Sequence, residues 1–251
     1  RQYGTPISVY KNKQSMGFSF SCNKGASISK GFLLLFANND MFVLNGAIPL
    51  LVETMSADPK TGLVGPMMID EHHVQEMGGI VFNDGSAANG FRGTKEIPLE
   101  WMVTHRVDYV SGACVMIEKN LFTTLGGFDP AYGRGYYEDT DLAMAVRNKS
   151  MEVVIQPLAI VYHKEGNTFG AAQKQSLMAK NQQLFSQKWK DQLQYHLQPG
   201  ASPQEAKRRL QRDTILWIDQ TIPATYFDSG SQRTEQILHI LQDFGYDISF
   251  L

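Results

Sequence analysis

GFSFSCNKGASISKGFLLLFANND, residues 17–40, is the stretch whose reading decides the fold. Small residues recur through 18–30 and predict a helix, with Gly17 breaking it from what precedes and Gly31 ending it. The run FLLLFA at 32–37 is continuously apolar, the mark of a strand covered on both faces. A short strand is expected at 7–10, so strand, helix and strand at this spacing predict a parallel α/β unit. Asn38-Asn39-Asp40 follows directly. In open α/β sheets, ligands bind beyond the carboxyl ends of strands. A carboxylate with flanking amide oxygens suits a hard divalent cation that also holds a diphosphate. The same three residues equally suit a strand-ending turn.

Outward from this stretch the pattern stays α/β. A helix is expected at 47–57, a second apolar strand at 63–69, and a strand with a turn-rich loop over 78–90. Residues 107–117 read as another buried strand with small residues in its middle, and 151–157 and 159–163 as two short strands. From 171 to 197 the pattern is helical. Leu177, Leu184, Phe185, Trp189, Leu193 and Leu197 fall at three-, four- and seven-residue steps, a stripe suited to packing on its own domain. Residues 198–203 read as a linker, followed by a short helix and a strand–helix–strand pattern over 214–251.

Composition excludes several classes. The 251 residues are 43% hydrophobic and 19% charged, with net charge −2, as for a globular chain with a real core. The one tight basic cluster, Lys207-Arg208-Arg209, reads as a solvated helix end, which argues against a nucleic-acid partner. No apolar run is long enough for a transmembrane segment. No signal peptide opens the chain, so a cytoplasmic location is expected. Cys22 and Cys114 fit buried free thiols in a reducing compartment.

Two further motifs carry chemistry. In GYYEDTDLAMAVR, 135–147, Glu138, Asp139 and Asp141 crowd the first turn of a predicted helix, where the helix dipole stabilises them. The preceding glycine- and tyrosine-rich loop, 126–137, looks built to deliver carboxylates to a cleft, where one could take the proton of an attacking hydroxyl. In VYHKEGNT, 161–168, His163 ends an apolar strand, and a neutral imidazole joins oxygen ligands around manganese comfortably. His72, His73, His105, His196 and His239 read as surface residues.

These motifs, in this order with VDYVSGACVMI between them, resemble the family 2 glycosyltransferases over roughly residues 8–169. The similarity is closest to rhamnosyltransferase-like members that build bacterial surface glycans. The resemblance implies a GT-A fold, a Rossmann-like mixed α/β sheet flanked by helices. It implies inverting transfer from a nucleotide-diphosphate sugar to a glycan or lipid-linked acceptor, with Mn2+ or Mg2+ as cofactor. It maps the metal ligands to Asp40 and His163, and the catalytic base to Asp139, with Glu138 the second candidate. Asn38 stands where the family has an acidic residue. Asn38 and Asn39 are expected beside the donor, as is Asn23 from the preceding helix. Gly112, between Ser111 and Ala113, is expected to let sugar approach the backbone, or else to pack tightly within its strand.

The resemblance also implies boundaries: a partial GT-A domain over 1–170 lacking its first strands, a helical extension and linker over 171–212, and over 213–251 the first strand–helix–strand of a group 1 (GT-B) glycosyltransferase. In that last unit the segment DSGS, 228–231, is expected to lead into the helix. Loss of the nucleotide-recognising strands predicts weak or no activity for this polypeptide alone. It also predicts an open sheet edge inviting a homodimer. The competing expectation is a non-catalytic module that binds sugar or nucleotide sugar. A peripheral place at the inner membrane is expected by analogy with the family.

Overall fold

The structure, a computed structural model, describes residues 7–164, 171–210, 214–219, 223, 229–244 and 246–250. The chain divides into two units, Arg1–Ala206 and Lys207–Leu251. The first opens with α1 (Phe18–Ile28), β1 (Leu33–Ala37), β2 (Met41–Val43), α2 (Ala47–Ala57), β3 (Thr61–Ile69) and β4 (Val74–Glu76). Next come β5 (Gly79–Val81), β6 (Ala87–Asn89), β7 (His105–Arg106), β8 (Cys114–Glu118) and α3 (Lys119–Thr124). It continues with α4 (Glu138–Asn148), β9 (Glu152–His163), α5 (Ala171–Lys188) and α6 (Lys190–Leu193), and α7 (Pro203–Leu210) crosses the division.

The main sheet runs β1-β8-β3-β9-β2, with β4 on β3 and β7 on β9. β3 and β9 are parallel; β1, β2 and β7 pair antiparallel with their neighbours. Residues 7–10 are exposed and form no strand, so the expected parallel unit around α1 is absent. β1 instead pairs antiparallel with β8, Leu33 opposite Glu118 and Ala37 opposite Cys114. Its other edge pairs with no strand among the described residues. The expected strand at 107–117 is cut to its second half. Ser111 and Gly112 break it in a turn closed from Cys114 N–H to Ser111 O at 3.3 Å, while Tyr109 pairs with Gly79. Conversely, the two short strands expected at 151–163 are one. Pro157 has no N–H to give, and the β3 register passes from Gln156 directly to Ile160, a bulge that absorbs it.

Both faces of the sheet are covered. On one, Leu51 and Met55 of α2 pack on Val64, Met116, Val154 and Ala159. On the other, Leu142 and Val146 of α4 join Phe122, Phe128, Tyr132 and Phe185. Phe185, Trp189 and Leu193 are buried in this same core, so α5 and α6 belong to the first unit. Burial pushes the thiol of Cys22 up to about 12, with the charge of Glu138 adding to it, and that of Cys114 to about 11. Both stay protonated near neutral pH. Two histidines expected at the surface are buried. His105 bonds Val103 O through Nδ1 at 2.7 Å, and His196 bonds Val81 O through Nδ1 at 2.8 Å. Their ring nitrogens satisfy backbone carbonyls, which single-residue reasoning does not reveal.

In the second unit β10 (Thr214–Trp217) pairs in parallel with β11 (Asp247–Phe250), and α8 (Ser229–Asp243) connects them. This is the expected strand–helix–strand; Asp228 of the DSGS segment lies outside the described residues. Among the described residues no helix is long and apolar enough to cross a membrane.

Candidate active site

The end of β1 organises the site. Asn38 N–H donates to Ala113 O at 2.8 Å, which sets residues 38–40 beside the turn that precedes β8. β2 then pairs with the end of β9, Met41 opposite His163, and Lys164 N–H donates to Asp40 O at 3.1 Å. Asp40 and His163, distant along the chain, are thereby neighbours: Oδ1 and Nε2 lie 3.5 Å apart. Asp40 Oδ1 is covered and has no hydrogen-bond partner among the described residues, although the side chain as a whole keeps 35% exposure. His163 is buried. A covered carboxylate oxygen facing an imidazole nitrogen fits two ligands of one divalent cation, which sit about 3 Å apart when each bond is about 2.1 Å. No cluster of three or more His, Cys, Asp or Glu side chains suited to a metal occurs among the described residues. Two protein ligands plus phosphate and water is a normal arrangement for a small hard cation. The rest of the third motif, 165–168, lies outside the described residues.

The carboxylates of α4 start its first turn. Tyr136 and Tyr137 have φ of 69° and 74°, left-handed values that cost a non-glycine residue about 1–3 kcal/mol each. This turn presents Glu138 and Asp139 differently. Asp139 is half-buried; its Oδ2 accepts Gly112 N–H at 2.9 Å, and its Oδ1 accepts Thr140 N–H at 2.7 Å. Burial holds its pKa above the usual carboxylate range, while those hydrogen bonds pull the other way. A raised pKa makes the carboxylate a stronger base than an ordinary Asp. Glu138 is buried, its Oε2 has no hydrogen-bond partner among the described residues, and burial together with the Asp139 charge raises it to about 8. Of the two, Asp139 keeps the more open side chain.

Gly112 serves this carboxylate. A Cβ there would lie 3.2 Å from Asp139 Cβ and 3.4 Å from the Phe18 ring, so the missing side chain is what admits Asp139 to the backbone N–H. Gly112 immediately precedes Ala113, whose carbonyl accepts from Asn38, and this places Asp139 at the same end of the sheet as Asn38. Asn23 lies elsewhere in function. Its Nδ2 donates to Phe128 O at 2.8 Å and its Oδ1 accepts Phe128 N–H at 2.9 Å. Both ends of the amide clamp the loop leading to Glu138, so the side chain is engaged in the fold where a donor contact is expected of it.

Sequence reasoning passed over the residues that support these groups. Asn181 of α5 is buried, and its Nδ2 lies 2.9 Å from each of Tyr132 O, Gly135 O and Tyr136 O. Asp141 accepts from Trp189 Nε1 at 2.7 Å, Tyr132 OH at 3.0 Å and Lys188 Nζ at 2.8 Å. A signal for Asn181 existed: it is a polar residue four positions from both Leu177 and Phe185 on an apolar stripe. Gln75, which bonds His163, gave none.

No protein-family model matches the chain. It is 30% identical to an O-antigen biosynthesis protein, RfbC, of Myxococcus xanthus over 151 residues, covering 57% of this chain and 12% of that protein. It is 24% identical to an N-acetylglucosaminyl-diphospho-decaprenol L-rhamnosyltransferase of Mycobacterium tuberculosis, over 61% of this chain and 53% of that protein. The chain thus spans about half or less of the curated relatives it matches. Among solved structures, GalNAc-T7 with UDP, GalNAc and Mn2+ superposes with a TM-score of 0.58 at 18% identity, covering 75% of this chain and 38% of that one. The fold is GT-A.

Proposed function

We propose that this chain, a family 2 glycosyltransferase by relationship and a GT-A protein by fold, carries the catalytic end of an inverting, metal-dependent sugar transferase of bacterial surface polysaccharide synthesis. The observation that carries the reading is the 3.5 Å approach of Asp40 Oδ1 to His163 Nε2, with the oxygen covered and without a hydrogen-bond partner among the described residues. Asp40 and His163 hold Mn2+ or Mg2+, and Asn38 and Asn39 border the donor's diphosphate. When bound, the cation supplies positive charge against the negative charge that grows on the departing diphosphate.

Asp139 provides the base. The acceptor hydroxyl oxygen attacks the anomeric carbon from the face opposite the leaving group, which inverts that centre. A carbon–oxygen bond forms, the bond to the nucleoside diphosphate breaks, and the hydroxyl proton passes to the Asp139 carboxylate. The Gly112 N–H holds Oδ2 and Thr140 holds Oδ1, so the group is oriented before the acceptor arrives. Glu138, with its raised pKa, stands behind it as a protonated neighbour below about pH 8.

The name of the M. tuberculosis relative points to a lipid-diphosphate-linked acceptor for that protein, and we assign the same acceptor class here, met at the inner face of a membrane. The edge of β1 that pairs with no strand among the described residues, with Phe32 exposed beside it, supports a second copy or another strand adding to the sheet.

The test is release of nucleoside diphosphate from a panel of UDP-, GDP- and dTDP-sugars with Mn2+, comparing the natural chain with Asp139→Asn. Loss of a general base lowers turnover on the order of 10²- to 10⁴-fold. Undiminished turnover in Asp139→Asn removes the base assignment. Donor binding without release in the natural chain establishes a binding module instead.

A further inference from the structure

Gln75 is the residue of this site that no motif accounts for. It lies on β4, is only 5% exposed, and meets His163 twice. Its Nε2 donates to His163 O at 2.9 Å, and its Oε1 lies 3.1 Å from His163 Nδ1. The backbone carbonyl can only accept, so it settles which end of the Gln75 amide is NH2. Oε1 is then left facing the ring, and it too can only accept. Nδ1 must therefore carry hydrogen. In the neutral ring the lone pair falls on Nε2, the nitrogen 3.5 Å from the covered Oδ1 of Asp40.

We propose that Gln75 is the positioning residue of the cation site: it fixes His163 in the Nδ1–H tautomer and turns the Nε2 lone pair toward the space shared with Asp40. The inference rests on the cation reading given under the proposed function. A ligating histidine characteristically donates its other ring N–H to an acceptor, which fixes the ring and raises its basicity, and loss of that acceptor weakens the metal on the order of 10- to 100-fold. Here the acceptor is a neutral amide rather than a carboxylate, and the same amide grips the histidine backbone. One side chain thus controls both the rotation of the ring and the height at which β9 delivers it.

Two measurements test the assignment. Long-range 1H–15N spectra of the natural chain, metal-free, report the tautomer of His163 without any substitution. The Nδ1–H form is expected; an Nε2–H form overturns the proposal. Titration with Mn2+ alone, followed by electron paramagnetic resonance, then compares the natural chain with Gln75→Leu, Gln75→Glu and His163→Ala. Gln75→Leu is expected to bind Mn2+ about 10- to 100-fold more weakly. Gln75→Glu keeps an acceptor against Nδ1–H and is expected to retain most of the affinity. Affinity undiminished in Gln75→Leu, with His163→Ala weakened, overturns the role of Gln75 and leaves the cation site standing. Affinity undiminished in His163→Ala removes the cation site itself.

Discussion

Replacing Glu138 by Gln is expected to stabilise the protein, and increasingly so as the pH rises. Glu138 is 6% exposed, its Oε2 has no hydrogen-bond partner among the described residues, and Asp139 follows it directly. Burial first, and the Asp139 charge second, raise its pKa from 4.5 to about 8. Between those values the folded protein holds a proton that the unfolded chain releases, so its stability falls as pH climbs through the window. At about 1.4 kcal/mol for each pKa unit, the separation sets an upper bound of roughly 5 kcal/mol, of which relaxation and water entry leave a few. Gln keeps the size and neutrality of the protonated acid and cannot ionise. Urea unfolding of both proteins from pH 4 to 9 measures the difference. It is expected to be flat below about pH 4.5, to widen in favour of Glu138→Gln up to about pH 8, and to level off above. A difference that stays constant across the whole range, or that narrows with rising pH, refutes the claim that Glu138 is protonated in the fold. The same variant is expected to keep more transferase activity than Asp139→Asn, since Asp139 is the more open carboxylate.

Two other substitutions probe how the carboxylate turn is held. Asn181→Ala strips the amide from the carbonyls of Tyr132, Gly135 and Tyr136; its two hydrogens satisfy two of them at a time, so at about 1–3 kcal/mol for each buried group left unpaired a loss of roughly 2–6 kcal/mol is expected in chemical denaturation. Hydrogen exchange should quicken first at residues 136–140, where two left-handed tyrosines depend on that clamp. Gly112→Ala sets a methyl group 3.2 Å from Asp139 Cβ, and a modest overpacking cost of about 1–3 kcal/mol is expected. Turnover should fall by about tenfold or more, because a small displacement of a positioned group is costly to catalysis. A Gly112→Ala protein with natural turnover separates Asp139 orientation from its contact with this backbone.

Local pattern was a sound guide wherever structure is local. The helix expected at 47–57 is α2 residue for residue, the helix expected from Glu138 is α4, and the apolar run after Gly31 is a strand. These follow from periodicity and from glycine breaks, which act within a few residues. Pairing was misjudged for the same reason. β1 was expected in a parallel unit and lies antiparallel to β8, because the partner of a strand is chosen by packing across some eighty residues of chain rather than by its own composition. His196 shows the point at a single residue, since a histidine whose ring satisfies the carbonyl of Val81, far back along the chain, carries no mark of it.

By itself the sequence determined helices α2 and α4, the apolar runs that had to be covered, and the polar groups that had to stand at strand ends. Hydrophobic period and turn chemistry are written into neighbouring residues, so those conclusions needed no coordinates. Tertiary structure alone decided that Asp40 meets His163, that Gln75 selects the ring nitrogen left free, and that Gly112 and Asn181 hold the turn carrying Asp139. Each of these is a contact of a few ångströms between segments that only the folding of the sheet brings together, and hydrogen-bond direction, which sets the chemistry, exists only once they touch.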